Sequence, residues 1–280
     1  MYTSIDGHKI HYTTEGAGYP CLIPSLVGTP PYERSFSSQL RKHLQLVFVE
    51  LRGNRSDVGE VSLLTLDSLV DDLDRFREAI GIDRAAVLGH SMHCLLPVRY
   101  AVRHPQGISH AILVCGSPSL APSLQAEREE YWHLIASEER KQILAENLAG
   151  LEKRLRGASA SEAIAIDYVA NGPATFYEPR FDCSDFLRDA SFDAAIWERF
   201  WGPDGEFAKV DPQVEFPKVK CPVLILAGAF DFLCPPTLWS GLKDKFTRGT
   251  YRVFEKSGHW PHLEEQKLFD STLIEWIRNS

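Results

Sequence analysis

The stretch Val87-Leu88-Gly89-His90-Ser91-Met92-His93 decides how this chain reads. An apolar run meets a lone serine and passes at once into the helix-like Cys94-Leu95-Leu96-Pro97-Val98-Arg99-Tyr100-Ala101. A strand that turns sharply into a helix on a serine is the pattern of a nucleophile elbow, which lifts a hydroxyl clear of the backbone. A serine hydroxyl at its ordinary pKa is a poor nucleophile, so the turn calls for a base supplied from elsewhere. Two further strand ends offer partners. Asp231 ends Ala227-Gly228-Ala229-Phe230-Asp231, after the strand-like Pro222-Val223-Leu224-Ile225-Leu226, and His259 ends Ser257-Gly258-His259, after Tyr251-Arg252-Val253-Phe254-Glu255. The order Ser91, Asp231, His259 matches one of three unrelated chain orders for such a triad and differs from the other two.

Working outward from the elbow, strands and helices alternate. Met1 to Ile10 alternates around Asp6-Gly7 and predicts a hairpin; Tyr19 to Pro24 and Gln45 to Glu50 read as strands, with a short helix over Phe36 to Leu44. Leu66, Leu69, Val70, Leu73, Phe76 and Ile80 recur at helical spacing and stop at Gly81. Ala85 to Gly89 predicts a strand, Met92 to Arg103 a helix, and His110 to Cys115 another strand. This rhythm implies a mostly parallel sheet covered by helices on both faces. It breaks at Gly116: Leu124 to Arg156 reads as long and helical, Ser161 to Ala170 as helical again, and an aromatic-rich stretch runs to Glu215. Strands then return at Cys221 to Leu226 and Thr250 to Glu255, before a closing amphipathic helix over Leu263 to Arg278. The expected organisation is a core of residues 1–115 and 216–280 with an inserted helical cap over 116–215.

Composition bounds the function. With 280 residues and 44% hydrophobic content the chain has enough material for one large core and an appended subdomain. No stretch approaches the roughly 18 uninterrupted apolar residues of a membrane span, and the N-terminal residues carry no signal-peptide run, so a cytoplasmic protein is expected. The net charge of −8 is concentrated: residues 116–215 hold 19 Asp and Glu against 10 Lys and Arg, while the remainder is nearly neutral. Such a balance argues against nucleic acid as a partner. The six cysteines show no C-x-x-C pair, which points to buried free thiols rather than a zinc site or a disulfide framework.

With these residues in view, the chain resembles the α/β-hydrolase superfamily, the insertion falling where that family carries its cap. Within it the chain is most similar to the proline iminopeptidase group, through the length of the cap, Asn171-Gly172-Pro173, Trp201-Gly202-Pro203-Asp204-Gly205-Glu206-Phe207 and the acid and histidine loops. The resemblance implies that Ser91 attacks a carbonyl, His259 takes and returns the proton, and Asp231 steadies the imidazole. It implies no cofactor and no metal. Of the two histidines in His259-Trp260-Pro261-His262, the first follows the strand directly and is the expected base.

Two departures from the family pattern stand out. The elbow normally closes on a small residue where strand and helix crowd together, and here that position is His93; it either packs or shapes the acyl pocket. The oxyanion loop, commonly His-Gly-Gly, reads Ser25-Leu26-Val27-Gly28-Thr29. The second donor would then be the backbone N–H of Val27, with Leu26 as neighbour, beside the N–H of Met92. Leu51-Arg52-Gly53-Asn54-Arg55-Ser56-Asp57, after the fourth strand, reads as a supporting loop. In the proline iminopeptidase group cap carboxylates hold the substrate's free amine. Glu178, Asp182, Glu198, Asp204 and Glu206 are the candidates for that role here, Glu178 and Glu206 foremost, with Trp201 among the aromatic walls, and an amine-bearing small molecule or short peptide is the implied ligand.

Three functional readings stay open at this point. The first is a serine hydrolase of an ester or amide, either aminopeptidase-like or a carboxylesterase. The second is a non-hydrolytic enzyme of the same fold, performing carbon–carbon cleavage, lyase chemistry or cofactor-free oxygenation. The third is a ligand-binding receptor in which turnover has been lost. The oligomeric state is not encoded in any feature above.

Overall fold

The Asp6-Gly7 pair places both central residues of a two-residue turn at positive φ, +49° and +85°, which is the backbone that joins two right-twisted strands tightly. It links β1 (Tyr2–Ile5) to β2 (His8–Glu15). Six more strands follow: β3 (Tyr19–Ser25), β4 (Leu44–Glu50), β5 (Ala85–His90), β6 (Ile108–Val114), β7 (Val223–Gly228) and β8 (Gly249–Phe254). They form one sheet in the order β1-β2-β4-β3-β5-β6-β7-β8, antiparallel at β1–β2 and β2–β4 and parallel elsewhere. This computed structural model describes residues 1–52, 61–121, 123–190 and 193–280. Most of the Leu51 to Asp57 loop therefore lies outside the described residues; Arg52, inside them, pairs with Asp72.

The central strands β5, β6 and β7 are buried at every position, as expected of parallel strands covered on both faces. One face packs against the helices Leu66–Ala79 and Leu95–Arg103, the other against Phe36, Leu40 and the C-terminal helix Gln266–Asn279 through Phe269, Leu273 and Ile277. The first of these helices starts where the pattern places it, because Thr65 and Ser68 exchange side-chain and backbone hydrogen bonds as a capping box.

Between β6 and β7 the described chain holds helices and no strand. The expected long helix over Leu124 to Arg156 is three pieces instead: Ser123–Ile135, Glu138–Leu148 and Leu151–Leu155. Ser137 ends the first by capping the second, its hydroxyl accepting the Arg140 N–H, and Gly150 at φ +76° turns the chain into the third. The expected helix over Phe36 to Leu44 is likewise replaced by a turn of helix at Pro30–Ser35 and a 3₁₀ turn at Leu40–Lys42, because Pro30 and Pro31 suit a first helical turn. Among the described residues no helix is long and apolar enough to cross a membrane. All six cysteines are free thiols, five of them buried.

Candidate active site

Ser91 follows β5 directly and has φ +56°, a left-handed backbone that an L side chain adopts at a cost. The turn is so tight that a Cβ on Gly89 would stand 2.3 Å from the His93 carbonyl oxygen, which is why the residue two before the serine is glycine. The Ser91 Oγ lies 2.7 Å from His259 Nε2, and His259 Nδ1 lies 2.8 Å from Asp231 Oδ2. Asp231 and His259 are fully buried. The other oxygen of Asp231 accepts the N–H groups of Leu233 and Cys234, at 3.0 and 2.9 Å, so both carboxylate oxygens have fixed directions. The Cys234 thiol stands beside this pair, with ligand-capable atoms of Asp231, Cys234 and His259 all within 4.8 Å of one another. Both ring nitrogens of His259 and both oxygens of Asp231 are committed to hydrogen bonds, which makes the set a hydrogen-bonded chain.

The loop that carries His259 is held from two sides. Its N–H donates to the Thr175 carbonyl at 2.6 Å, and its carbonyl accepts from His90 Nε2 at 2.7 Å. The carboxylate of Glu264 accepts the N–H groups of Gly258 and Trp260, which flank the histidine, and of Tyr177 from the helical segment. Burial pushes the Glu264 carboxyl up to about 7. Gly228 makes this approach feasible, since a Cβ there would meet the Gly258 carbonyl oxygen at 1.9 Å. His262, the other histidine of this loop, is buried and stacked on Phe36 at 4.8 Å between ring centres, which is a packing role.

The serine opens into a cavity of about 930 Å³ whose walls include Val27, Met92, Leu95, Trp201, Phe207 and Trp260. The wall is mainly apolar; among the described residues its formally charged members are Arg128 and Asp167. Trp201 stacks between Trp197 and Phe207, at 5.1 and 5.3 Å between ring centres, and its indole N–H donates to the Met92 carbonyl at 3.2 Å.

A model of the alpha/beta hydrolase fold matches residues 21–266, which is most of the chain. The chain belongs to this family. An AB hydrolase superfamily protein, YclE, of Bacillus subtilis is 28% identical over 97% of this chain and 96% of its own length. A proline iminopeptidase of Heyndrickxia coagulans is 25% identical over 79% of this chain and 76% of its own. Among solved structures, a proline iminopeptidase of Mycobacterium smegmatis overlays with a TM-score of 0.70 at 18% identity, covering 100% of this chain and 97% of that one. At that identity the overlay speaks for the fold.

Within this α/β-hydrolase, several residues picked from the sequence stand elsewhere than expected. The Leu26 N–H is spent inside the protein, donating to His93 Nε2 at 2.9 Å. His93 is fully buried and absent from the cavity wall, so it contacts the loop and not the cavity. Val27 does line the cavity, but its N–H has an internal acceptor, the Ser25 hydroxyl at 3.1 Å, which in turn donates to the Gly28 carbonyl. Met92 lies in the first turn of a 3₁₀ helix, where N–H groups lack an intrahelical acceptor.

Glu178 and Glu206, expected to face the substrate, do not line the cavity. Glu178 is exposed and bonds the Arg180 N–H two residues on. Glu206 is buried as a tie: it pairs with Arg199 and Lys209 and accepts the Leu66 N–H at 2.9 Å. Burial works against its charge, but Lys209, the Leu66 N–H and Arg199 together hold its carboxyl below the ordinary value. Tyr32, His90, Glu264 and Thr175 were not picked out by sequence. The one signal available for them was the density of histidine around the serine, His90 and His93 on either side of it.

Proposed function

We propose that this protein is a serine hydrolase that cleaves carboxylic esters with an apolar acyl group through an acyl-enzyme. The reading rests on one observation: an unbroken hydrogen-bond chain, Ser91 Oγ to His259 to Asp231, whose serine end meets a large apolar cavity. In this mechanism His259 Nε2 takes the Ser91 proton as Oγ adds to the ester carbonyl, and Asp231 holds the ring with Nδ1 protonated and stabilises the imidazolium. His259 then returns the proton to the leaving alkoxide, and water repeats the cycle on the acyl-serine. The oxyanion is stabilised by the Met92 N–H and by Val27, whose N–H exchanges a neutral hydroxyl acceptor for a stronger, charged one. The helical segment of residues 116–215 acts as the cap, contributing Trp201, Phe207 and Asp167 to the acyl chamber.

An amide with a free amine is the second reading, and Asp167 is what favours it, as the one carboxylate on the cavity wall among the described residues. Burial raises the Asp167 carboxyl, which weakens it as an ammonium partner, and this ranks the ester reading first. The deciding test is a fluorophosphonate probe. It should label the wild type stoichiometrically at Ser91 and leave Ser91→Ala unlabelled; a wild type that neither labels nor hydrolyses a panel of p-nitrophenyl esters and prolyl amides ends the reading.

A further inference from the structure

A line of buried polar groups, of which Tyr32 and His90 reach the cavity wall, is not used by the proton transfers above. At one end the Leu26 N–H meets His93 Nε2 at 2.9 Å. His93 Nδ1 lies 3.3 Å from the Tyr32 hydroxyl, and that hydroxyl lies 3.4 Å from His90 Nδ1. At the other end His90 Nε2 lies 2.7 Å from the carbonyl oxygen of His259. Tyr32, His90 and His93 are all buried.

The two ends fix every proton between them. A backbone N–H only donates, so His93 Nε2 accepts and the proton of a neutral His93 sits on Nδ1. That proton faces the Tyr32 oxygen at 3.3 Å, with the His90 backbone as a second partner of the ring, and the Tyr32 O–H is left to donate onward to His90 Nδ1. A backbone carbonyl only accepts, so His90 carries its proton on Nε2 and donates it to His259. All four bonds are satisfied in a single direction, and no other arrangement of neutral rings satisfies both ends. A second proton on His93 would place a donor against the Leu26 N–H, and one on His90 would deprive the Tyr32 O–H of its acceptor. Burial opposes that proton in both cases, pushing His93 down to about 3 and, with the neighbouring His259 and His262, His90 well below its ordinary value.

We propose that His93, Tyr32 and His90 form a one-directional relay of positioning residues that locks the oxyanion loop to the backbone of the catalytic histidine. The inference rests on the serine-hydrolase reading for its effect on turnover, but the relay itself is a claim about protons. It gives a physical reason for both departures from the family pattern. The loop has Leu26 and Val27 where the family pattern has its paired glycines, and its one glycine is Gly28 at φ +87°; His93, in the place of the usual small residue, captures the Leu26 N–H and thereby sets the direction of the next peptide, which carries the Val27 N–H. The departure at position 93 answers the departure at positions 25 to 27.

The oxyanion is charged only in the transition state, so misplacing its donor lowers kcat and leaves KM nearly alone. His93→Gly should reduce kcat for a p-nitrophenyl ester about 100-fold with KM changed less than about threefold. His93→Gln, whose amide oxygen accepts the Leu26 N–H, should recover to within about tenfold of wild type. Tyr32→Phe breaks the longer middle links and should cost about tenfold, but nothing further when added to His93→Gly, because the relay is then already cut. The measurement independent of turnover is the nitrogen–proton correlation spectrum of the ¹⁵N-histidine-labelled wild type. It should find His93 protonated on Nδ1 and His90 on Nε2, both neutral at pH 7. His93 protonated on Nε2, or His90 on Nδ1 alone, overturns the relay, as does wild-type kcat in His93→Gly. A wild type that fails to label with fluorophosphonate ends the hydrolase reading instead, and the two tautomers still decide the relay.

Discussion

Ser91 carries both the hydroxyl proposed as nucleophile and a strained backbone, and the two are separable by substitution. At φ +56° a residue with a Cβ pays about 1–2 kcal/mol that glycine does not. Ser91→Ala removes the hydroxyl and keeps the strain, while Ser91→Gly removes both and adds unfolded-chain entropy of about 0.4–1 kcal/mol. Both variants should be inactive, yet Ser91→Gly should be the more stable by about 1 kcal/mol in urea denaturation. Equal midpoints would mean that the left-handed turn is not costly here. Asp231 calls for a different argument. Its Oδ2 fixes the tautomer of His259, and Asn in its place can present an N–H donor that favours the opposite tautomer. Asp231→Asn should therefore lower kcat by about 10⁴-fold while the protein stays folded, read by ester turnover beside a circular-dichroism melt.

At the scale of elements, the strand ends were legible because apolar runs that stop at Ser91, Asp231 and His259 leave few other geometries. The ties between elements were not. Glu264 sits in the short helical turn Pro261–Glu264, and nothing in Trp260-Pro261-His262-Leu263-Glu264 tells that its carboxylate will collect N–H groups from both the histidine loop and Tyr177. The same is true of Arg140, whose guanidinium takes the Pro173, Phe176 and Tyr177 carbonyls from a neighbouring turn and so supports the Thr175 carbonyl on His259. Such bonds depend on how helices dock, which hydrophobic period does not encode. Glu264 has a measurable consequence. Its carboxyl titrates at about 7 in the fold against an ordinary 4.5, so between those values the folded state holds the extra proton. Stability from this group is full below about pH 4.5, declines as pH rises towards 7, and is gone above it. Glu264→Gln removes the titration and keeps an acceptor. The difference in melting temperature, wild type minus variant, should therefore fall between pH 5 and pH 8; a difference that is constant or rises with pH contradicts the assignment.

At the scale of the whole molecule, the acidic excess of residues 116–215 was the feature most open to misreading. Charge counted along a chain does not say which way it faces, and carboxylates of this segment are engaged away from the cavity: Glu206 ties the helical segment to Leu66, Asp189 pairs with Arg34, and Glu138 pairs with Lys141. What reaches the cavity is a wall of Leu, Trp and Phe with Asp167 as its one carboxylate among the described residues. The segment was recognisable as an insertion because it interrupts the strand rhythm; its inner face was not recognisable, because the helices Ser123–Ile135 and Glu138–Leu148 are short, charged and weakly patterned. A chamber of about 930 Å³ with such walls rewards each methylene that enters it. Burying one CH₂ is worth about 0.8 kcal/mol, or about fourfold in kcat/KM. Across p-nitrophenyl acetate, butyrate and hexanoate, kcat/KM should climb by up to about 16-fold per two-carbon step until the chain meets the far wall. Against this series, Glu178→Gln and Glu206→Gln should leave the ratio of amine-bearing to neutral substrates unchanged, since neither carboxylate touches the cavity. Asp167→Asn is the one substitution of the three able to move that ratio. A preference for acetate over hexanoate, together with a loss of prolyl-amide turnover in Asp167→Asn, would transfer the acyl chamber from an apolar tail to a cationic head.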